Sequence, residues 1–413
     1  MSKSIRFPVK IHIFLVSLVF ITAFLNWPAR LSPESDISLF RFIVPVLFII
    51  FMGNTKSAVT LLLWFFYLLL ALILFSYLNQ YRISSVDLIF LTHYITLVIW
   101  FFFVYFSLQY IGPDNIYKIF HYFSLFLIIL LALEFFLDFT LPNVEAKSGV
   151  LYGIAFNQND LGLILFSLSL FFLWFSPHRL FSLAFLIFTS LVIIYNGSRL
   201  LILLLPFVFF WFFMFPTLKT AIKVLLLLVI LFLTTVIILI YQSFLNNIPL
   251  SVLVDLLLDP IIRILTFDPY GFGRGSVFVR TDMTIYALQA FIDSAFIGIG
   301  PGNTVEMIST SRYGFILEGA GTIHNFPLQV LTEVGIIPYV ILYFLWDKYR
   351  FPVAPLIVLA IASLSQSAGV FSNFIFLSVV FLFILLPIRS RRSMLFSNKK
   401  PIMQKQSFLT AYQ

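Results

Sequence analysis

The sequence predicts an all-α, polytopic integral membrane protein of about twelve transmembrane helices, with one long hydrophilic segment on the outer side. Three observations predict it. Of the 413 residues, 61% are hydrophobic and 10% charged, with a mean hydropathy of +1.07. A water-soluble domain of this size cannot bury that much apolar surface, so a soluble enzyme is excluded. The apolar residues also come in runs of 16 or more, which suit bilayer-crossing helices and lack the two-residue alternation of a barrel. Finally, Lys and Arg lie mostly in the connections between these runs, so the net charge of +8 is a topology signal and does not mark a nucleic-acid binder. Cysteine is absent, which removes disulfides and thiolate metal sites.

Runs bounded by charge, Pro, Gly or Asn place spans at 11–28, 37–52, 57–78, 86–108, 117–141, 160–176, 180–195, 200–216, 221–244, 325–346, 352–368 and 372–388. The first follows a basic stretch and has the look of a secretory signal; in a polytopic chain it reads as a retained first helix. With the N-terminus cytoplasmic, sixteen Lys and Arg fall inside and nine outside, which places both termini in the cytoplasm. Five of the nine outer ones lie between Arg199 and Arg312. Most of that exception sits in the long outer segment 245–323, too large for a simple connector. Within it, 284–297 is apolar for about 14 residues around Asp293, against the ~20 a crossing helix needs. It reads as a short interfacial or re-entrant helix. The chain therefore divides into nine N-terminal spans over 1–244, the extracytoplasmic segment 245–323, three spans over 324–388 and a basic cytoplasmic tail, 389–413. No internal repeat of the kind many transporters carry is evident.

The polar residues that carry chemistry gather near the outer leaflet. Asn196-Gly197-Ser198-Arg199 forms a tight turn that sets a guanidinium at the membrane surface; the bland alternative is an arginine reaching for lipid headgroups. Arg280 closes the glycine-rich run 271–280 and precedes the turn Gly298-Ile299-Gly300-Pro301-Gly302-Asn303. Such a backbone allows close approach of a phosphate, and an arginine fork grips one in bidentate fashion. Arg274, in the same run, is a weaker substrate-binding candidate, and Arg263 and Arg312 read as solvated loop charge. His324 and Asn325 open the tenth span, either as a general base with a polar neighbour or as a helix cap. Asn157 and Asn159 add amides in the loop before the sixth span, where Asp160 is a ready cap. Glu134 and Asp138, four apart, are placed on one helix face, with Asp87 and His93 at similar depth on another span. The histidines show no metal-ligand spacing, so neither metal nor cofactor is expected. Glu333 is the one acidic group that departs from this outer grouping. A transport path needs polar contacts across the whole membrane. A one-sided basic site suits a lipid-anchored anion such as a lipid pyrophosphate.

With these residues in place, the sequence resembles the O-antigen ligases and polymerases of bacterial surface polysaccharide assembly. The resemblance rests on Asn196-Gly197-Ser198-Arg199, on Arg280 before 298–303, and on His324-Asn325 followed by Glu333-Val334-Gly335, and covers roughly residues 150–350. It implies a GT-C-like membrane glycosyltransferase of the bacterial inner membrane, with its active site facing outward and no need for metal or nucleotide sugar. The implied donor is a glycan on undecaprenyl pyrophosphate, and the implied acceptor another glycan or a lipid A core. The resemblance implies that Arg199 and Arg280 hold the leaving pyrophosphate and that His324 deprotonates or orients the acceptor hydroxyl, with inversion at the anomeric carbon. A chain-length regulator protein fits as a partner. Polymerisation of repeat units into O-antigen, capsule or exopolysaccharide is the favoured expectation; the alternatives are a ligase onto lipid A core and, from another class, a lipid-linked oligosaccharide flippase.

Overall fold

The structure, a computed structural model, describes residues 9–25, 67, 85–141, 150–155, 158–176, 178–209, 250–269, 276–304, 307, 325–349, 351–365 and 373–396. Among these residues it is all-helical, with no strand. The helices are α1 (Val9–Phe24), α2 (Ser85–Tyr110), α3 (Gly112–Leu137), α4 (Gln158–Phe175), α5 (Arg179–Tyr195), α6 (Arg199–Phe209), α7 (Leu250–Thr266), α8 (Ser276–Asp293), α9 (Phe326–Val334), α10 (Ile337–Tyr349), α11 (Val353–Ala362) and α12 (Phe374–Phe396). A short 3-10 turn, Ser363–Ser365, follows α11.

The core is built around α4, whose residues from Asp160 to Phe172 are all buried. A helix apolar on every side is stable only when neighbours surround it. α1, α2, α3, α5, α6, α11 and α12 contribute to the same apolar cluster. The abundant phenylalanine packs by ring edges: the Phe20 centroid lies 5.5, 5.2 and 5.7 Å from Trp100, Phe103 and Phe120, a spacing that aromatic quadrupoles favour. Buried polar pairs join helices at single points. Trp100 Nε1 donates to Ser378 Oγ at 2.9 Å, joining α2 to α12, and Ser169 Oγ donates to Thr189 Oγ1 at 2.8 Å, joining α4 to α5. In contrast, Tyr122, Ile129 and Phe136 on the opposite side of α3 are exposed, as expected where the solvent is lipid.

Among the described residues three helices are long and apolar enough to cross a membrane, Thr92–Tyr110, Gly112–Leu137 and Gln158–Phe175. The pair α9 and α10 makes a fourth if it is one bent span, and shorter apolar helices accompany them. The expected spans at 37–52, 57–78 and 221–244 fall outside the described residues, apart from Tyr67, and each of the others overlaps a helix over part of its length. The tenth is not one straight helix: α9 and α10 meet at 108°. Gly335 causes the break, with φ of +78° and its N–H on Leu331 O. Among the described residues, the segment 245–323 holds two long helices where one short one was expected. α8 begins at Ser276, eight residues before the apolar run, and α7 precedes it. Glu134 and Asp138 do not share a helix face, because α3 stops at Leu137 and Asp138 takes a left-handed cap with φ of 50°. Asp138 is exposed while Glu134 is buried.

Candidate active site

The turn between α5 and α6 is built by its own sequence. Gly197 takes φ of +66°, its N–H reaches Ile194 O at 3.1 Å, and the next N–H, of Ser198, reaches Ile193 O at 3.2 Å. These two bonds close α5 in the manner of a Schellman cap, which asks for glycine at this place. Ser198 then starts α6, its carbonyl accepting from Ile202 N at 3.0 Å. Arg199 is thereby the first residue of α6; its side chain lies outside what the structure describes.

The turn also organises the loop before α4. Asn196, buried, accepts from Leu151 N at 3.0 Å through Oδ1 and donates through Nδ2 to Leu151 O at 2.8 Å. Ser198 Oγ donates to Asn159 Oδ1 at 3.1 Å. From the other side, Glu134 receives the N–H groups of Tyr152 and Gly153, both at 2.8 Å. The buried Glu134 carboxylate is thus bonded to loop backbone and fixes the loop in place. Gly162 lets α4 approach this turn: a Cβ there would lie 2.7 Å from Leu201 Cδ1 and 3.4 Å from Ser198 Oγ. Asn159 and the Arg199 backbone therefore belong to one rigid platform. Asn157 lies outside the described residues.

A second group of residues is carried by α8 and α9. Arg280 is exposed on α8. Asn325 caps α9, its Oδ1 accepting from Leu328 N at 3.1 Å. The two helices are joined by apolar packing of Met283 and Ala287 with Leu328, and by Thr332 Oγ1 donating to Ala287 O at 3.2 Å. Arg280 and Asn325 are thus tied to one helix pair. His324 and Arg274 lie outside the described residues.

Three groups that hydropathy alone passed over complete this pair. Glu333, at the end of α9, accepts from Tyr94 Oη at 2.7 Å, from Thr304 Oγ1 and from Gln329 Nε2 at 3.3 Å, and all four residues are buried. Three packed donors offset the cost of placing a carboxylate there. The glycines of the 298–303 turn serve the same junction. Ile299 N and Gly300 N donate to Thr332 O and Glu333 O at 2.8 and 2.9 Å, and Ile336 N donates back to Phe296 O at 3.0 Å. Gly298 and Gly335 face each other so closely that a Cβ on Gly335 would sit 2.1 Å from Ile297 O. These glycines are therefore spent on helix-to-turn contact, where the sequence alone suggested an approach to phosphate. Asp282, two residues after Arg280, is also fully buried.

Set against protein-family models, residues 183–343 match Wzy_C, described as O-Antigen ligase. Over that stretch the chain is similar to the O-antigen ligase family. The chain matches no curated protein and no solved structure. The ligase-family segment contains Arg199, Arg274, Arg280, His324 and Asn325, and it also contains the Gly298, Glu333 and Gly335 junction. Asn157, Asn159 and Glu134 lie before it. Together with the long apolar helices, this similarity points to a membrane protein related to the O-antigen ligases. It favours the ligase alternative over the polymerase expectation.

Proposed function

We propose that the chain is a GT-C-like glycosyltransferase of the bacterial inner membrane, moving a glycan from a lipid pyrophosphate carrier to an acceptor hydroxyl at the outer leaflet. The observation that carries this reading is the ligase-family match, because the matched stretch 183–343 includes Arg199, Arg280 and His324. Transfer onto a lipid A core is the first reading, for the same reason, and joining of repeat units on the carrier is the second.

In the proposed step the acceptor oxygen attacks the anomeric carbon from the face opposite the pyrophosphate, so the configuration inverts. The bond from that carbon to the phosphate oxygen breaks, and the pyrophosphate leaves with the bonding electrons. The acceptor proton passes to the His324 imidazole. Arg199 and Arg280 neutralise the charge growing on the departing oxygen, a task suited to a permanently charged planar fork. The residues assigned to this chemistry supply every group the step uses, without metal or nucleotide sugar.

Reconstitution with a defined lipid-linked repeat, with and without lipid A core, tests the reading. Core-linked glycan identifies a ligase, a ladder on the carrier identifies a polymerase, and no product from an intact donor refutes a transferase. Arg199→Ala, Arg280→Ala and His324→Ala are each expected to lower transfer by about 100-fold or more while leaving the protein in the membrane. Arg280→Lys is expected to be impaired as well, because a point ammonium lacks the bidentate grip. Wild-type transfer by all three alanine variants would remove this site.

A further inference from the structure

The helix α7 presents its apolar side outward. Leu258, Ile261, Ile262 and Leu265 are 48, 54, 54 and 74% exposed, and their spacing of three and four residues puts them on one stripe. Asp259 and Arg263 lie off that stripe and pair with each other. Arg263 Nε contacts Asp259 at 3.1 Å, and Arg263 Nη1 contacts Asp268 at 3.0 Å. The guanidinium side chain is only 27% exposed. A soluble loop helix would place these two faces the other way round. Just past the helix, Phe267 holds φ of 55° and remains 38% exposed. That left-handed position is ordinarily filled by glycine, and the phenyl ring there is left partly exposed.

We propose that α7 is a monotopic helix, lying in the outer boundary between lipid headgroups and acyl chains with Leu258, Ile261, Ile262 and Leu265 directed into the lipid and Phe267 as its anchor. Lipid fits this face better than a protein partner does. The stripe offers aliphatic carbon without hydrogen-bonding groups, whereas protein hot spots centre on Trp, Tyr and Arg. Arg263 is already engaged by Asp259 and Asp268. A bilayer is also adjacent, because the same chain carries helices that cross one. Such helices sink about 5–10 Å into the boundary, the depth at which an aromatic ring is stable. α7 packs against α8, so seating it sets the height of Arg280. This last consequence rests on the function proposed above and would bring Arg280 level with the diphosphate of a lipid donor.

The absence of cysteine makes the test direct. Leu258→Cys, Ile262→Cys and Leu265→Cys, with Asp268→Cys as the polar reference, are labelled with a polarity-sensitive fluorophore in nanodiscs of phosphatidylethanolamine and phosphatidylglycerol. The three stripe positions are expected to emit at shorter wavelength than Asp268→Cys and to be quenched by lipids carrying a shallow doxyl group, while iodide quenches the reference alone. Iodide quenching at all three stripe positions overturns the proposal. So does cross-linking of Leu265→Cys between copies by a short bis-maleimide, which would make the occupant a second copy of the chain. The labelling does not depend on activity. Lipid quenching together with full transfer by Arg280→Ala would leave the membrane helix standing and refute the catalytic reading. Aqueous stripe positions with an inactive Arg280→Ala would do the reverse.

Discussion

Asn196 makes a donor and an acceptor bond to a single backbone unit, Leu151, the pattern by which one strand holds another. Both groups are buried, so removing the side chain leaves an N–H and a carbonyl without partners. Asn196→Ala is expected to cost about 1–3 kcal/mol. Asn196→Asp is expected to cost more, because it sets a carboxylate oxygen against Leu151 O where Nδ2 now donates. The measurement is the thermal midpoint of the detergent-solubilised protein followed by tryptophan fluorescence; an Asp variant as stable as the Ala variant would mean that the donor bond to Leu151 O contributes nothing. The string Asn196-Gly197-Ser198-Arg199 stood out in the sequence because an apolar chain rarely interrupts itself so sharply. What each residue does there was not legible. The partner of Asn196 is 45 positions away and that of Ser198 is 39, distances over which no local pattern reports. Glu134 was visible as a buried charge for the same reason, yet its partners are backbone N–H groups, which every sequence contains.

At the scale of elements, the helices that cross or line the bundle were legible because bilayer length and hydropathy dictate them. α8 was read short because its first residues include Arg280 and Asp282, so its N-terminal part carries no apolar run. The junction of α9 and α10 was missed for another reason. Hydropathy registers how apolar a stretch is and not where its backbone turns, and the break depends on one residue with positive φ pressed against another segment. That dependence separates two glycine substitutions. Gly112 and Gly335 have similar φ, +80° and +78°, but nothing lies within 4 Å of a Cβ built on Gly112, whereas one on Gly335 overlaps Ile297 O at 2.1 Å. Gly112→Ala carries only the conformational penalty, about 1–2 kcal/mol. Gly335→Ala is expected to lower the thermal midpoint well below that of Gly112→Ala and to reduce transfer, because the 298–303 turn must withdraw from α9 and release Glu333. Equal midpoints for the two variants would show that the junction gives way easily and does not hold α8 against α9.

For the molecule as a whole, the bent pair decides the topology of everything after it. Nine and thirteen residues rise about 13 and 19 Å, and at 108° the pair extends about 20 Å from end to end, short of the ~30 Å hydrocarbon core. Geometry alone would allow it to dip in and return. Charge argues for crossing. A re-entrant pair would carry Lys348, Arg350, Arg389, Arg391, Arg392, Lys399, Lys400 and Lys405 outward, leaving eight Lys and Arg inside and seventeen outside, the reverse of the observed tendency of membrane proteins. None of the residues of α10 is buried, as suits a helix that meets lipid along its length, and its last turn carries Lys348, which reaches a headgroup layer from a short helix. On the proposed topology α10 is expected to make most of the crossing, with α9 oblique beneath the outer surface and Asn325 at its outer end. Asp347→Cys, in a chain with no other cysteine, is expected to resist a membrane-impermeant maleimide in intact cells and to react once the inner face is opened. Asp268→Cys, in the outer segment, is expected to react at once. Labelling of Asp347→Cys from outside would make α9 and α10 a re-entrant pair, and the basic tail would then face the same side as Arg280.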